Sequence, residues 1–419
     1  MFPQRNWIKT IGFPVLTVTE EPGQIAVKQN RFLSTGDVKP EEDTTTWWIP
    51  IFLNEEAYTS SAEKVAALTA KESTIKNLDT THYKINCGQN GFYRVNYPSS
   101  RLTQLGEDRH KLSVSDRIGL IADAAAMAFS GLGTTAGLLS FLHALSDEQS
   151  YLVWAEIISQ LGKLRSLFAE SSPSIRDGLK RFTLDLVSPT VEKVGWEFAE
   201  GEDFLTGRLR ALIISTAGTC GHQAVITEAR RRFDLFVSGD RSAIHPSLRL
   251  AVFRIAVAEG GAEALSAVMN EYTSTTAVDG KEISLASLGR VRQPELIQEV
   301  LEFTLSDKVK IQDKHTPAIA LSNNSDARGA LWKFIQSNWE EVYGQLSGNM
   351  VVLDRFLKNS LNKFASRETL KEIEDFFEDK DNTGYDKGLG IIADNIRGNA
   401  GYVERDGERV KEWLKEHGY

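Results

Sequence analysis

Phe92-Tyr93-Arg94-Val95-Asn96-Tyr97-Pro98 marks the point at which the periodicity of this chain changes. Upstream, Val15-Leu16-Thr17-Val18-Thr19 and Ile25-Ala26-Val27-Lys28-Gln29 are β-rich runs. Between them lies Glu21-Pro22-Gly23-Gln24, whose Pro and Gly suit a type II turn. Trp47-Trp48-Ile49-Pro50-Ile51-Phe52-Leu53 reads as a third strand, with Pro50 at an edge or a bulge. Tyr83-Lys84-Ile85-Asn86 faces Phe92–Tyr97 across Asn90-Gly91, the pattern of a hairpin. Strands at this spacing predict a small antiparallel β-sandwich over residues 1–98.

Downstream the pattern is helical. Ser113, with Asp116 three residues on, opens a helix that stops at the Ser130-Gly131-Leu132-Gly133 stretch. Pro246 to Gly260 shows Pro in the first turn and Gly past the end, and its apolar residues point to burial on most sides. Gln293–Ser306, Asn324–Asn338, Thr369–Glu378 and Asp406–His417 continue the series. Roughly fifteen such segments, joined by short loops, predict a large all-α, HEAT-like superhelical or curved domain over residues 99–419. Its concave face would be the natural binding surface.

Composition narrows the partners. With 48 Lys+Arg against 57 Asp+Glu the net charge is −9, which argues against nucleic acid, since phosphate neutralisation needs a basic face. No apolar run approaches the ~18 residues of a membrane span. Two cysteines, Cys87 and Cys220, fit free thiols in a reducing compartment, hence a cytoplasmic location.

Catalytic patterns are missing. The seven histidines are scattered and none follows another at i+4, so no His-Glu-x-x-His places two zinc ligands on one helical face. Cys220-Gly221-His222 reads as a buried cysteine followed by a helix-start histidine. Gly131-Leu132-Gly133-Thr134 follows a helix rather than a strand, which makes it a helix–helix connection and not a phosphate loop. Arg230-Arg231-Arg232 is a solvated helix end and Glu41-Glu42-Asp43 a polar loop. These residues alone describe a binding or structural module.

Several segments nevertheless form an ordered set. Trp7–Val18, Gln29-Asn30-Arg31-Phe32-Leu33 and Trp48-Ile49-Pro50-Ile51 resemble the β-sandwich domain of gluzincin-type zinc aminopeptidases. Gly91–Tyr97 resembles the strand leading into that family's helical domain. Asp116–Ala124, Pro246-Ser247-Leu248-Arg249 and Ala330–Ile335 with Asn338-Trp339 are similar to landmarks within it. The likeness is to the puromycin-sensitive and fungal cytosolic alanine/arginine branch, with a C-terminal domain of the endoplasmic-reticulum-aminopeptidase type.

The resemblance implies the C-terminal half of such an enzyme, a non-catalytic region that encloses the active-site cavity and helps bind peptide. The Gly-x-Met-Glu-Asn motif, the zinc site and the catalytic Tyr of the family have no counterpart here. It therefore implies no catalytic and no metal-binding residue in this chain, with zinc only in the catalytic domain. Partners implied are peptide substrates and the N-terminal catalytic domains. Some apolar surface around Trp7, Phe13, Trp47 and Trp48 would be left open to self-association. Since a peptide's end is a carboxylate, concave-face cations are the candidate contacts. These are Arg328, in a pattern similar to the branch's Gly-Arg-x-x-x-Trp with Ala327 in place of Gly, together with Arg355 and Lys358. For each the alternative is a surface or helix-capping charge. The competing function is a free-standing helical-repeat adaptor without enzymatic activity.

Overall fold

The computed structural model describes residues 5–61 and 64–419. Two compact units divide the chain: Met1–Gln160 with Glu408–Trp413, and Leu161–Gly407 with Leu414–Tyr419. Strand gives way to helix between Asn96 and Ser99, whereas the compact units part at residues 160/161.

The first unit opens with a short helix, α1 (Arg5–Lys9), and a mixed sheet. Strands β1 (Pro14–Glu21) and β2 (Gln24–Arg31) pair antiparallel from Pro14↔Arg31 to Glu21↔Gln24, and Gly23 takes the positive φ of 74° that the turn needs. A two-residue ribbon joins β3 (Ile49–Pro50) to β4 (Ala67–Leu68); β5 (Glu72–Lys76) lies beside β2, and β6 (Arg94–Asn96) beside β1. The β1–β6 pairing is parallel, so the order β5-β2-β1-β6 makes a mixed sheet rather than an all-antiparallel one.

Two expected strands are absent as such, and side chains explain both. In the 47–53 run only Ile49–Pro50 pairs. The buried Gln29 side chain accepts from the Trp47 N–H at 2.8 Å and donates to the Trp47 carbonyl at 3.0 Å, taking the place of a neighbouring strand. The expected 83–97 hairpin is replaced by a compact loop. Asn86, at φ 60°, accepts from Gly91 N–H at 2.7 Å and donates to the Gly91 carbonyl at 3.1 Å, closing 86–91 around a short 3₁₀ turn.

Three ion pairs tie this sheet region to α2 (Ser99–Glu107) and α3 (Val114–Ser130), which lead to α4 (Thr135–Ala144) and α5 (Tyr151–Leu167). Buried Lys84 meets Asp116 at 2.8 Å, Arg101 meets Glu20 at 2.5 Å, and Arg94 meets Asp123 at 3.0 Å. Asp123 also accepts the Val95 N–H at 3.0 Å. Ser113 caps α3 through the Asp116 N–H, and Gly131 ends it at φ 81°, as expected. Thr134 then caps α4, so the 131–134 stretch is a helix–helix connection. Trp47 is buried, its ring tilted 50° to that of Trp7 with centroids 6.5 Å apart, while Trp48 remains 40% exposed.

The second unit is helical throughout. After the end of α5 come α6 (Pro173–Val194), α7 (Phe204–Cys220), α8 (Gln223–Val237), α9 (Arg249–Glu259) and α10 (Gly261–Ser274). Then follow α11 (Val278–Leu288), α12 (Pro294–Leu305), α13 (His315–Ser322), α14 (Ser325–Ser337) and α15 (Trp339–Leu346). The unit ends with α16 (Met350–Leu361), α17 (Arg367–Glu378) and α18 (Asp386–Glu416), the last shared with the first unit. In α9 Ala251, Val252, Phe253, Ile255, Ala256 and Val257 are all buried, which matches its expected burial on most sides. The expected 406–417 helix is the end of α18. Gly388 hides its start, because glycine disfavours helix, yet a Cβ there would fall 1.8 Å from the Asp354 carboxylate.

Burial pushes the Asp123 carboxyl from its ordinary 3.8 up to about 6, against the opposing pull of Val95 N–H and Arg94. A raised carboxyl pKa favours the protonated folded form. Its stabilising contribution is therefore complete below about pH 4 and is lost as pH rises through about 6. Between pH 5 and 7 the native chain is expected to lose about 1 kcal/mol relative to Asp123→Asn. Melting temperatures of the two proteins across that range check this; a constant difference would refute it.

Candidate functional site

Several buried charges are matched by an opposite one, as in the three pairs above and in Arg210 with Glu202 at 2.7 Å. Others in the second unit are not: Lys314 is held by the Thr304 and Ser306 carbonyls, and three arginines have no acidic partner among the described residues. Arg165 near the end of α5, Arg254 in α9 and Arg290 just past α11 are half-buried, and among the described residues none forms an ion pair. Arg254 makes one long hydrogen bond, Nε to the Ala286 carbonyl at 3.5 Å. Burial, followed by the charges of Arg254, Arg165 and Arg292, pulls the Arg290 guanidinium down to about 10. Of these, only Arg292 has an acidic partner, Glu259 at 2.8 Å.

The backbone that carries the group is tightly held. Gly289 approaches α13 so closely that a Cβ would lie 2.4 Å from the Ala320 main chain. Asn324, the buried N-cap of α14, donates to the Gly289 carbonyl at 2.9 Å and the Val291 carbonyl at 2.6 Å, one on each side of Arg290. Arg165 is fixed through its neighbour Ser166, which is gripped by Arg328.

Arg328 is thus a supporting residue. It is 1% exposed, and its guanidinium donates to the carbonyls of Ser322 at 2.8 Å, Lys363 at 2.9 Å and Ser166 at 3.3 Å, and to Ser166 Oγ at 2.9 Å. Glu170 stands 3.6 Å away. Directed inward at these oxygens, it holds segments together rather than offering charge to a peptide. Arg355 is exposed on α16, and Lys358, one turn on, pairs with Asp354 at 2.6 Å. No hydrogen bond or ion pair joins these three residues to one another.

Cys220 is buried at the end of α7, and burial raises its thiol above the ordinary value against the weaker pull of Arg165, Lys180 and Arg290. It remains a neutral thiol and supplies no counter-charge. Gly221 turns at φ 94°, and His222 caps α8 by accepting the Val225 N–H, so both residues play the local roles expected of them. Among the described residues no group of three or more His, Cys, Asp or Glu side chains could hold a metal ion. Chemically, the arginine group can bind an anion, since each guanidinium offers a fork of N–H donors suited to carboxylate.

Comparison with known proteins gives a consistent frame. A family model described as an ERAP1-like C-terminal domain matches residues 82–398. Aminopeptidase 2 of Candida albicans is 34% identical over 99% of this chain and 45% of its own length. The alanine/arginine aminopeptidase of Saccharomyces cerevisiae is 33% identical over 99% of the chain and 48% of its own. Aminopeptidase M1 of Arabidopsis thaliana is 29% identical over 95% and 47%. The chain spans about half the length of the curated relatives it matches.

The two kinds of arginine should respond oppositely to mutation. Arg290→Met removes one of several mutually repelling charges and is expected to raise stability by about 1 kcal/mol. Arg328→Met leaves several inward-facing oxygens without their donor and is expected to lower it by about 3 kcal/mol. Denaturant titration of both variants decides; equal losses would mean that the charge at 290 is compensated after all.

Proposed function

The chain belongs to the ERAP1-like C-terminal domain family and is the corresponding C-terminal region of an aminopeptidase-family protein; on that premise we propose that it holds peptide for a zinc-dependent aminopeptidase. In this reading it encloses the active-site cavity, and the N-terminal catalytic domains remove residues from the bound peptide. The observation that carries it is the uncompensated trio Arg165, Arg254 and Arg290. Such a group suits the carboxylate at a peptide's far end, and Arg can accept it in bidentate fashion. Fixing one end of a peptide raises the effective concentration of the other end at a cleavage site.

Zinc belongs outside this chain in our reading. His222 is occupied as a cap and Cys220 is a buried thiol, so the residues present do not fit a zinc site. Arg355 serves as a secondary contact for the peptide, with Lys358 beside it. A cytoplasmic location fits two unpaired cysteines, and no helix among the described residues is long and apolar enough to cross a membrane. The catalytic domains would cover the apolar surface of the first unit. Ile8 is 82% exposed there, Ile11 84% and Phe92 71%, which also gives the isolated chain a surface for self-association.

Two measurements test this. An N-terminally labelled peptide with a free carboxylate should bind about tenfold more tightly than its C-terminal amide, and Arg290→Gln should erase that ratio. A ratio of one on the native chain would remove the anchor. In sedimentation velocity the native chain should associate at high concentration, and Phe92→Ser should weaken the association. A native chain that stays monomeric throughout would refute the exposed-surface reading.

A further inference from the structure

A groove of about 440 Å³ runs between α17 and α18. Its apolar lining comes from Ile373 and Phe377 of α17 and from Leu389, Gly390 and Ala393 of α18. Glu374, Asp375 and Glu378 of α17 also line it, as does Asn382 from the loop that joins the two helices.

Gly390 is the informative member. Glycine inside a helix is destabilising relative to alanine, so it needs a local reason. Gly388 has one, since a Cβ there would fall against the Asp354 carboxylate. A Cβ on Gly390 would meet nothing within 4 Å. Packing within the chain therefore does not demand glycine at 390. The missing side chain keeps the groove open down to the α18 backbone, where an incoming group can approach closely.

Charge decides what kind of group that is. Residues 367–387 hold eight acidic side chains against four basic ones, close to half of the chain's net −9. Lys371 meets Asp375 at 2.7 Å and Arg397 meets Glu374 at 3.4 Å, but both pairs are exposed and hold their carboxylates weakly. Arg397 is shared with Asp394 at 2.7 Å. Glu378 forms no ion pair among the described residues. Asn382 donates through Nδ2 to the Phe377 carbonyl at 2.9 Å, and its Oδ1 is a buried acceptor without a donor among the described residues. Negative charge and a spare acceptor beside an apolar trough suit Lys or Arg, whose aliphatic stem covers apolar surface while the cation stays at its edge.

From this combination we infer that the α17–α18 groove docks a basic polypeptide segment, with an apolar side chain seated in the trough beside a Lys or Arg whose cation lies among Glu374, Asp375 and Glu378. The occupant is a polypeptide rather than a free amine, because Ile373, Phe377 and Leu389 offer apolar contact to a second side chain next to the cation. This site does not depend on the carboxylate reading: none of Arg165, Arg254 and Arg290 lines the groove.

The experiment uses the full chain and fluorescence anisotropy at pH 7 and constant ionic strength. Three labelled nonapeptides, all with amidated C-termini so that no terminal carboxylate takes part, differ only at a central Leu-Arg pair. The parent keeps the pair, the second carries neutral citrulline for Arg, and the third carries Gly for Leu. The parent is expected to bind about tenfold more tightly than either of the others. Gly390→Leu should weaken the parent at least about tenfold with no fall in melting temperature, since leucine is the better helix former. Glu378→Gln should shrink the Arg-to-citrulline ratio by about threefold. Spermidine should displace the parent only at concentrations more than about a hundredfold above that peptide's Kd.

Each opposite result overturns the proposal at a different point. Equal binding of the Arg and citrulline peptides removes the cation. A Gly-for-Leu peptide as tight as the parent shows diffuse attraction to an acidic surface rather than a groove. Native affinity in a folded Gly390→Leu places the binding elsewhere. Spermidine competing at the peptide's own Kd assigns the groove to a free polyamine. The peptide series on the native chain and Glu378→Gln, an exposed substitution, decide the matter even if Gly390→Leu fails to fold.

Discussion

Arg328 and Asn324 stand within one turn of each other at the start of α14, and between them they bind four separate stretches of main chain. Arg328 takes the carbonyls at 166, 322 and 363, and Asn324 those at 289 and 291. These carbonyls lie at the ends of α5, α11, α13 and α16, where helix termini leave acceptors without intrahelical donors. Burying a guanidinium is costly, and burial depresses the Arg328 pKa with only Glu170 opposing. What is gained is position: the residues beside the gripped carbonyls are Arg165 and Arg290. The positively charged group therefore depends on a different, satisfied arginine that holds its scaffold.

The contrast between paired and unpaired charge gives the site its meaning. Lys84 with Asp116 and Arg101 with Glu20 sit at the sheet–helix seam of the first unit, where each half-buried carboxylate or guanidinium meets its opposite. Other buried cations, such as Lys314, are held by backbone carbonyls instead of an acid; Arg165, Arg254 and Arg290 have no ion pair among the described residues. Unmatched, partly buried charge is destabilising, and sites that keep it are enriched in ligand-binding function. Arg165, Arg254 and Arg290 are half-buried rather than fully solvated, and Arg254 reaches the Ala286 carbonyl at 3.5 Å.

Much of the fold was legible because its signals are local. Ser113 with Asp116, and the glycine stretch that ends the same helix, do what their spacing predicts, since a cap and its helix lie within four residues of each other; Gly260 likewise ends α9, although Pro246 opens a 3₁₀ turn just ahead of it rather than its first turn. The hairpin and the third strand were not legible. Gln29 reaches across to Trp47, and Asn86 closes its own loop, so side-chain amides far from any propensity rule took over backbone pairing. The site was illegible for a related reason. Arg165 and Arg254 come from two helices far apart in sequence and Arg290 from the chain just past a third, and each is unremarkable in its own segment. Arg328 stood out by its place before Trp332, and that prominence reflects a structural role.

Gly289 links these observations. A helix end that must pack within van der Waals limits of α13 needs glycine, and the next residue is then aimed by the exit of the chain rather than by helical spacing. Asn324 fixes that exit on both sides, so repulsion around Arg290 cannot relax through the backbone. Side-chain rotation alone must absorb it, at a cost in rotamer freedom and hydration. Under the proposed function, an anion that neutralised the group would relieve this repulsion and spend less binding energy on reorganising the protein. Rigidity of the backbone around Arg290 thus leaves only its side chain free to adjust to neighbouring charge.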